Sequence, residues 1–204
     1  METIISSFDL SSISFSSFPT LISIIGPQNS GKKTIARNII DNLSERYGKH
    51  ILTRSLLISP IPDAAEYFGC ELGIETKTEF DNNNIQSRFS DDELSIIILY
   101  NCFDDVRGRN DFATVLKRFG TNKIVVFIDL WYESSRIPKS HYYFIIKDCV
   151  NYQKDIYKSL INSRNIDGQT FEDFQLIYNI VTNNRSCMVI TNDGIEGYQP
   201  MVFV

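Results

Sequence analysis

The chain has 204 residues, 43% of them hydrophobic and 22% charged, and its formal net charge is −5. This length favours one domain over residues 1–204 with a full core, and the negative charge argues against a protein that coats nucleic acid with a basic surface. No apolar run reaches the roughly 20 residues that span a bilayer, and residues 1–20 lack the basic start of a secretory signal. We therefore expect no membrane association.

The four cysteines, Cys70, Cys102, Cys149 and Cys187, lie far apart and form no Cys-x-x-Cys pair. With only two histidines in the chain, this pattern argues against a zinc site. Disulfides are rare in the cytoplasm, and widely spaced cysteines without a framework favour reduced thiols. We predict a cytoplasmic protein with free cysteines.

The first predicted elements surround a glycine-rich stretch. Residues 1–20 alternate serine with apolar residues, which suggests a short edge strand or an ordered arm. Residues 21–25 form an apolar, β-branched run and predict a buried strand that ends at Gly26. Apolar side chains then recur at helical spacing over 35–43, which predicts an amphipathic helix that ends near Gly48.

The middle of the chain alternates strand and helix patterns. Apolar residues at 50–59, followed by two prolines, predict a second strand. The acidic stretch 63–92 predicts a helix and then a variable surface excursion. A third strand is predicted over 93–103, with a bulge near Asn101, and a helix over 112–120.

The last third of the chain continues this alternation. The apolar run at 123–128 predicts a fourth buried strand that ends at Asp129. The remaining predicted elements are a fifth strand at 142–146, helices at 151–161 and 171–181, a sixth strand at 187–191 and a last short strand at 200–204. Strands that alternate with helices predict an α/β fold, a three-layer sandwich with a mostly parallel central sheet flanked by helices.

One motif carries chemistry: Gly-x-x-x-x-Gly-Lys, between the first strand and the first helix. Glycines are needed where a backbone turns tightly and approaches an anion, so that its amides and the helix dipole face the phosphates. The lysine reaches the β- and γ-phosphates of a nucleotide. The sequence therefore predicts a P-loop that binds ATP, made of Gly26, Pro27, Gln28, Asn29, Ser30, Gly31 and Lys32.

The position after Lys32 departs from the usual motif. A serine or threonine there would bind Mg²⁺ through its hydroxyl, but the residue is Lys33, and Thr34 follows one position late. Thr34 lies about 100° further round the helix, and a register with Lys33 as the phosphate lysine lengthens the loop. We keep Lys32 as the phosphate lysine, place Lys33 and Thr34 beside the nucleotide, and predict binding more firmly than hydrolysis.

Two strand ends carry acids that suit a magnesium-dependent nucleotide site. Asp104 and Asp105 follow the third strand, and Asp129 follows the fourth. In such sites one acid serves Mg²⁺ and a second positions the attacking water. We assign Asp104 to the metal, Asp105 to the water and Asp129 to sensing the γ-phosphate. A helix-capping or turn role for these acids stays open.

Hydrolysis at such a site often needs an arginine from a neighbouring subunit to offset transition-state charge. Candidates are Arg107, Arg109, Arg118 and Arg136, in a part of the chain where bases outnumber acids. The sequence does not choose among them.

The order of these segments resembles a known family, the genome-packaging ATPases of poxviruses and related large DNA viruses in the HerA-FtsK superfamily. Two specific motifs carry the resemblance, the loop from Ile24 to Lys32 and the acidic stretch Phe103-Asp104-Asp105-Val106. Weaker similarity spans roughly residues 21–191 and includes the stretches 47–60, 115–120, 124–129 and 137–144.

The resemblance implies an ATP-driven motor that moves viral double-stranded DNA into a capsid, works as a homo-oligomeric ring and contacts capsid proteins, in the cytoplasmic viral factory or the virion. It implies ATP and Mg²⁺ as cofactors, with Lys32 on phosphate, Asp104 serving the metal and Asp105 serving the water. The family's sensor residue is usually glutamine, and Asp129 occupies that position here.

Two other functions stay open at this point. Lys33 and Asp129 favour a catalytically weakened relative that binds nucleotide or a partner and acts structurally. A small-molecule P-loop kinase is the other alternative, which predicts an arginine-rich lid in the region 107–136. A turnover assay with and without DNA discriminates among the three.

Overall fold

The computed structural model describes residues 7–13, 19–79, 94–102, 122–129, 140–146, 153–158, 170–182, 186–191, 194–198 and 200. The described strands are β1 Thr20–Ile25, β2 Leu56–Ile58, β3 Glu75–Lys77, β4 Ser95–Tyr100, β5 Lys123–Asp129, β6 Tyr142–Ile146, β7 Cys187–Ile190 and β8 Ile195–Tyr198. They form one eight-stranded sheet in the order β3-β2-β4-β5-β1-β6-β7-β8.

The sheet is mostly parallel. From β3 to β6 in spatial order, each strand runs parallel to its neighbours, whereas β7 is antiparallel to both β6 and β8. Parallel neighbours need crossover connections, usually helices, which cover the faces of the sheet. The described helices are α1 Lys32–Tyr47, α2 His50–Thr53, α3 Pro62–Ala65, α4 Gln153–Ile156 and α5 Phe171–Val181. The predicted α/β architecture is confirmed.

Side chains alternate between the two faces of the sheet and meet a helix on each face. Ile24 of β1 belongs to a buried cluster with Ile35 and Ile39 of α1. Ile25, the next residue of β1, belongs to a second buried cluster with Phe174 of α5. Consecutive residues of a strand point to opposite faces, so one short strand contributes to both cores. The result is the helix–sheet–helix sandwich that the sequence predicts.

The two longest described helices begin in different ways. α1 starts after Gly31 and ends just before Gly48, and both glycines have positive φ angles, of 96° and 90°. Glycine adopts this conformation without steric cost, which confirms the predicted end of the helix. α5 starts instead at a capping box, in which Thr170 and Asp173 each bond the other's backbone amide.

The predicted strand over 50–59 is wrong in its first half. Residues His50–Thr53 form α2, and only Leu56–Ile58 form β2. Ile51 is fully buried in the cluster around α1, and Ser55 donates its hydroxyl hydrogen to the carbonyl of Ile51 at 2.7 Å. A short apolar run divided between a helical turn and a strand has no periodicity that separates the two.

Two strands of the structure are missing from the sequence prediction. β3, Glu75–Lys77, is a polar edge strand with no buried residue, in the stretch predicted as a surface excursion. β8, Ile195–Tyr198, contains a glycine and pairs with β7. On its other side Ser7 forms a parallel bridge to Gly197, and the Phe8 amide donates to the Gly197 carbonyl at 2.7 Å.

The other predicted strands at 21–25, 123–128, 142–146 and 187–191 are confirmed, as is the helix at 171–181. Of the strand predicted over 93–103, the part Ser95–Tyr100 is a strand, and residues 93 and 103 lie outside the described residues. The predicted helix at 151–161 is described only over 153–158, where α4 continues into a widened turn. The helix at 112–120 and residues 201–204 of the last predicted strand lie outside the described residues. No helix in the described part of the chain is long and apolar enough to cross a membrane.

Candidate phosphate-binding site

The glycine loop joins β1 to α1 at the carboxyl edge of the sheet. β1 lies between β5 and β6, and its last residue, Ile25, pairs with Asp129 on one side and with Ile145 on the other. The next residue, Gly26, opens the loop. In open α/β sheets, ligands bind outside the carboxyl ends of the parallel strands. The fold therefore places the predicted phosphate loop, 26–32, at the edge where such ligands bind.

Lys32 turns back into the loop that precedes it. It is the first residue of α1, yet its Nζ donates hydrogen bonds to the carbonyl of Gly26 at 2.7 Å and to that of Pro27 at 2.5 Å. The residue is only 5% exposed. A lysine is rarely buried unless its charge is compensated. The loop thus wraps a buried ammonium group at the point where the sequence predicts an anion.

The residue types in the loop suit its backbone conformation. A Cβ on Gly26 would lie 2.8 Å from Ser30 Oγ and 2.9 Å from Ile146 Cβ, so the space between the loop and β6 admits no side chain. Asn29 and Gly31 have positive φ angles of 58° and 96°. Glycine adopts this left-handed region freely and asparagine tolerates it. The residue types at these positions therefore determine the shape of the loop.

Ser30 leaves a polar atom unused inside the loop. Its amide donates to the carbonyl of Pro27 at 3.3 Å, which closes a tight turn. Its Oγ is buried and has no hydrogen-bond partner within the described residues. Buried polar groups are nearly always satisfied. The Ser30 hydroxyl therefore has hydrogen-bonding capacity that the described residues do not use.

Lys33 has a different partner. Its Nζ lies 2.5 Å from Asp63 Oδ2 and 5.2 Å from the centre of the Tyr67 ring. Thr34, also in the first turn of α1, is half-buried. In this arrangement the ammonium of Lys33 serves the contact between α1 and the segment that begins with α3. The binding of the nucleotide by Lys33 and Thr34 stays a prediction.

A network of charges connects these two segments, and we call it the α1–α3 surface. It is formed by Lys33, Arg37, Asp41, Asp63, Tyr67 and Glu71. Arg37 bonds Asp41 at 2.9 Å and Glu71 at 3.0 Å. Burial raises the pKa of the Tyr67 phenol, and the positive charge of Arg37 opposes that shift. The network holds the first turns of α1 against the chain that follows β2.

The structure brings the backbone of one predicted acid to the loop. Asp129 is the last residue of β5 and pairs with Ile25, next to Gly26. Asp104 and Asp105 lie outside the described residues, and so do the candidate arginines at 107, 109, 118 and 136. β5 separates β4 from β1, so the strand that leads to these two acids is not a direct neighbour of the loop strand. The roles of the three acids stay predictions.

A residue without a predicted role also lies at this edge. Asn101 follows the last residue of β4, has a φ of 50°, and donates its amide to the carbonyl of Ile128 at 3.0 Å. Its Oδ1 is buried and lacks a hydrogen-bond partner in the described part of the chain. The sequence signal for this residue is a polar side chain directly after an apolar run. That signal predicts a bulge but not an unsatisfied buried atom.

Metal-ligating clusters are absent from what the structure describes: no group of three or more His, Cys, Asp or Glu residues there is placed to hold an ion. None of the described cysteines forms a disulfide: Cys70 is exposed, and Cys102 and Cys187 are buried, while Cys149 lies outside the described residues. Burial raises the pKa of the Cys187 thiol, which keeps it protonated and unreactive at neutral pH.

Neither a protein-family model nor a curated protein matches the sequence. Solved structures do match the fold. The DNA-packaging ATPase B204 from Sulfolobus turreted icosahedral virus superposes with a TM-score of 0.60 at 10% sequence identity, over 92% of this chain and 100% of that chain. The genome-packaging NTPase B204 from Sulfolobus turreted icosahedral virus 2 superposes with a TM-score of 0.60 at 8% identity, over 90% and 98% of the two chains, in its complexes with AMPPCP and with ATP-gammaS.

At such low identity the likeness shows the fold alone. The chain has an α/β fold similar to that of viral genome-packaging ATPases. What the site binds has to be argued from the residues at the carboxyl edge of the sheet.

Proposed function

We propose that the chain binds ATP at the loop 26–32 and hydrolyses it to drive viral double-stranded DNA into a capsid, as a ring of identical subunits. The observation that carries the proposal is the position of Lys32. Its buried ammonium lies inside the loop, bonded to the carbonyls of Gly26 and Pro27.

Several features of the loop support the binding of nucleotide phosphates. Gly26 packs so closely against Ser30 and Ile146 that no side chain fits there, which fixes the path of the loop backbone. The Ser30 hydroxyl has hydrogen-bonding capacity that the described residues do not use. Lys32 supplies a positive charge, and the first turn of α1 adds the positive end of a helix dipole. A phosphate group at the loop would give the Lys32 ammonium and the first turn of α1 negatively charged hydrogen-bond acceptors.

Magnesium fits the described residues less well. Lys33 stands where a hydroxyl ligand is usual, and its ammonium is paired with Asp63. The nearest hydroxyl in the first turn belongs to Thr34. Magnesium, when bound to such a site, neutralises phosphate charge. Its binding here depends on Asp104, which the sequence predicts as its ligand.

The DNA-packaging part of the proposal has two supports. The acidic stretch at 103–106 resembles that of viral packaging ATPases, and the fold is similar to a DNA-packaging ATPase over 92% of the chain. Under this proposal Asp105 positions the attacking water and Asp129 lies near the terminal phosphate. The ring, the capsid partner and the viral factory or virion as location follow from the same resemblance.

A phosphate-release assay tests the proposal. The purified chain is incubated with ATP and Mg²⁺, alone and with linear double-stranded or single-stranded DNA. We expect slow turnover that double-stranded DNA stimulates and that Lys32→Ala abolishes. Lys49→Ala, an exposed lysine just past the far end of α1, is the matched control and keeps wild-type turnover. Turnover that survives in Lys32→Ala would refute the site, and turnover indifferent to DNA would refute the packaging role.

The contact between Lys33 and Asp63 favours a second candidate function. Lys33, the residue after the phosphate lysine, is paired with Asp63. Because this residue is a lysine, the usual hydroxyl ligand of Mg²⁺ is missing from position 33. A protein of this kind binds nucleotide but turns it over too slowly to drive a motor, and it acts as a structural partner. Tight ATP binding by the wild-type chain, with no phosphate release under any DNA condition, would favour this second function over the motor.

A further inference from the structure

β3 is the last strand at one side of the described sheet. It pairs with β2, and no strand in the described part of the chain pairs with its other side. Glu75 and Thr76 are exposed, and Lys77 is partly exposed. A groove of about 800 Å³ borders the strand, with Gly69, Gly73 and Thr76 among its lining residues. The described elements therefore leave room for another strand beside β3.

The backbone of Thr76 faces this open side. The Ser59 amide donates to the Lys77 carbonyl at 2.9 Å, so the backbone groups of Lys77 face β2. The N–H and C=O of one residue point to the same side of a strand, and consecutive residues alternate between the two sides. Thr76 therefore presents one donor and one acceptor to a chain that lies along the edge of the sheet.

The edge is held in place by the rest of the fold. At the start of β3, the Ile74 side chain is buried, and the Gly73 amide donates to the Gly69 carbonyl at 2.9 Å. Gly69 also packs closely on Thr76, because a Cβ on Gly69 would lie 2.8 Å from Thr76 Cγ2. The end of the strand is fixed by its bond to β2. A pre-organised edge pays less conformational entropy when a partner binds.

The charges of β3 are complementary to those of its own copy. The strand reads acid, threonine, base, and the side chains at 75 and 77 lie on the same face. In an antiparallel pair centred on Thr76, Glu75 comes opposite Lys77 of the second copy, and the reverse pair forms by symmetry. A parallel pair would place like charges opposite each other. Charged edge strands usually oppose pairing, but this order of charges opposes only the parallel arrangement.

We propose that β3 is an interface between two copies of this chain, which pair β3 to β3 in antiparallel orientation about a two-fold axis at Thr76. The two Thr76 residues exchange two backbone hydrogen bonds, and an ion pair between Glu75 and Lys77 flanks them on each side. A two-fold contact joins chains in pairs and closes no larger ring, so this pairing is independent of the proposed ATPase and its ring.

The pairing is expected to be weak. A standard protein interface buries about 1,600 Å², far more than a strand of three residues and its borders supply. Sedimentation velocity of the purified full chain, without nucleotide or DNA, measures the association over a series of protein concentrations. We expect a dimer whose fraction rises with concentration.

Two single charge reversals test the pairing. Glu75→Lys leaves an edge with two bases, and Lys77→Glu leaves an edge with two acids. Each variant places like charges opposite each other in the pair, so we expect the dissociation constant of its dimer to rise about tenfold. An equimolar mixture of the two variants makes every cross-strand pair complementary again. We expect the mixture to associate at least as tightly as the wild type.

The matched controls are Asp155→Lys and Lys158→Glu, which make the same charge changes at exposed positions in and just after α4. Ile156 of α4 packs with Ile145 of β6, at the other side of the sheet from β3. Both controls should keep wild-type pairing. Thr76→Pro tests the backbone contact, because it removes the outward N–H and leaves the bonds to β2 in place. We expect it to abolish pairing without any change of charge.

These measurements separate the interface from other uses of the edge. Pairing that persists unchanged in both charge reversals, or a mixture of the two that does not associate, overturns the proposal. A wild-type chain without a dimer at any concentration also overturns it and assigns the open edge to another occupant. If Thr76→Pro does not fold, the mixture decides, because it changes only surface charges. A chain that releases no phosphate refutes the proposed ATPase and leaves this interface untouched.

Discussion

The phosphate loop and the α1–α3 surface meet in the first turn of α1, where two consecutive lysines have opposite environments. Lys32 is 5% exposed and bonds the loop's own carbonyls. The side chain of Lys33 is 28% exposed and pairs with Asp63 on the neighbouring segment. Consecutive residues of a helix point about 100° apart, so one lysine faces the loop and the next faces a helical neighbour. Two identical side chains thus have different partners because they point in different directions from the helix.

The energetics of the two lysines differ as well. An exposed ion pair contributes little, because water and salt screen it. A buried ammonium is held only by the groups around it, and replacing neutral carbonyls with phosphate oxygens strengthens its hydrogen bonds. A bound anion is therefore expected to stabilise the loop, whereas the ion pairs of the α1–α3 surface form without a ligand.

The largest expected effect is on nucleotide affinity. We expect Lys32→Ala to weaken ATP binding by roughly 100-fold, since a hydrogen-bonded charge opposite phosphate contributes about 1.5–3 kcal/mol. Lys33→Ala should change the affinity by far less, because its ammonium is engaged by Asp63. Isothermal titration calorimetry with ATP measures both. Equal losses in the two variants would remove the distinction between the two lysines.

Gly26→Ala is expected to have the next largest effect. The new methyl group would lie within 3 Å of Ser30 Oγ and Ile146 Cβ, and overpacking of this kind costs about 1–3 kcal/mol of unfolding free energy. Because the loop must shift to admit it, ATP affinity should fall too. Urea unfolding and calorimetry measure the two quantities.

Gly73→Ala is the control for that variant. Gly73 has a φ of 69°, but a Cβ there meets nothing within 4 Å, and the residue lies outside the loop. It should lose stability through backbone strain alone and keep wild-type ATP affinity. If Gly26→Ala leaves ATP affinity unchanged, the tight contact of Gly26 with β6 does not shape the binding site.

The smallest expected effect concerns the α1–α3 surface itself. A double-mutant cycle with Lys33→Ala and Asp63→Ala should give a coupling of about 0.2–1 kcal/mol in unfolding free energy, because Asp63 is 69% exposed. Added salt should reduce it further. A coupling that persists in high salt would contradict a screened surface pair and would give this surface a larger structural role than its exposure indicates.

Sequence patterns predicted the strands that are apolar and buried along their whole length. β1, β5 and β6 are runs of apolar residues bounded by glycine or polar residues, and two buried clusters cover the two faces of the sheet that they form. β3 was not predicted because an edge strand of polar residues shows no alternation of apolar and polar side chains. α2 was not predicted because its two apolar residues, Ile51 and Leu52, are too few to show a helical period, and only three residues separate them from β2.

The candidate site also has a part that the sequence predicted and a part that it did not. The loop 26–32 is contiguous in sequence, and its spacing reflects backbone geometry, so a pattern predicts it. The backbone of Asp129 comes next to the loop strand only through the order of strands in the sheet, which no local pattern contains. The unsatisfied state of Asn101 depends on what surrounds it in three dimensions. Sequence reasoning therefore identified the part of the site that one segment forms.

The bridge between Ser7 and Gly197, with the bond from the Phe8 amide to the Gly197 carbonyl, joins the first described residues to some of the last. Contacts between residues so far apart in sequence form slowly, because the entropy of closing the intervening chain opposes them. On the ribosome, the Phe8 amide must wait until β8 has emerged before it finds the Gly197 carbonyl. The ring of Phe8 packs on Tyr142 and Phe144 of β6, which emerge earlier. We therefore expect the ring to be covered before the side of the sheet at β8 assembles.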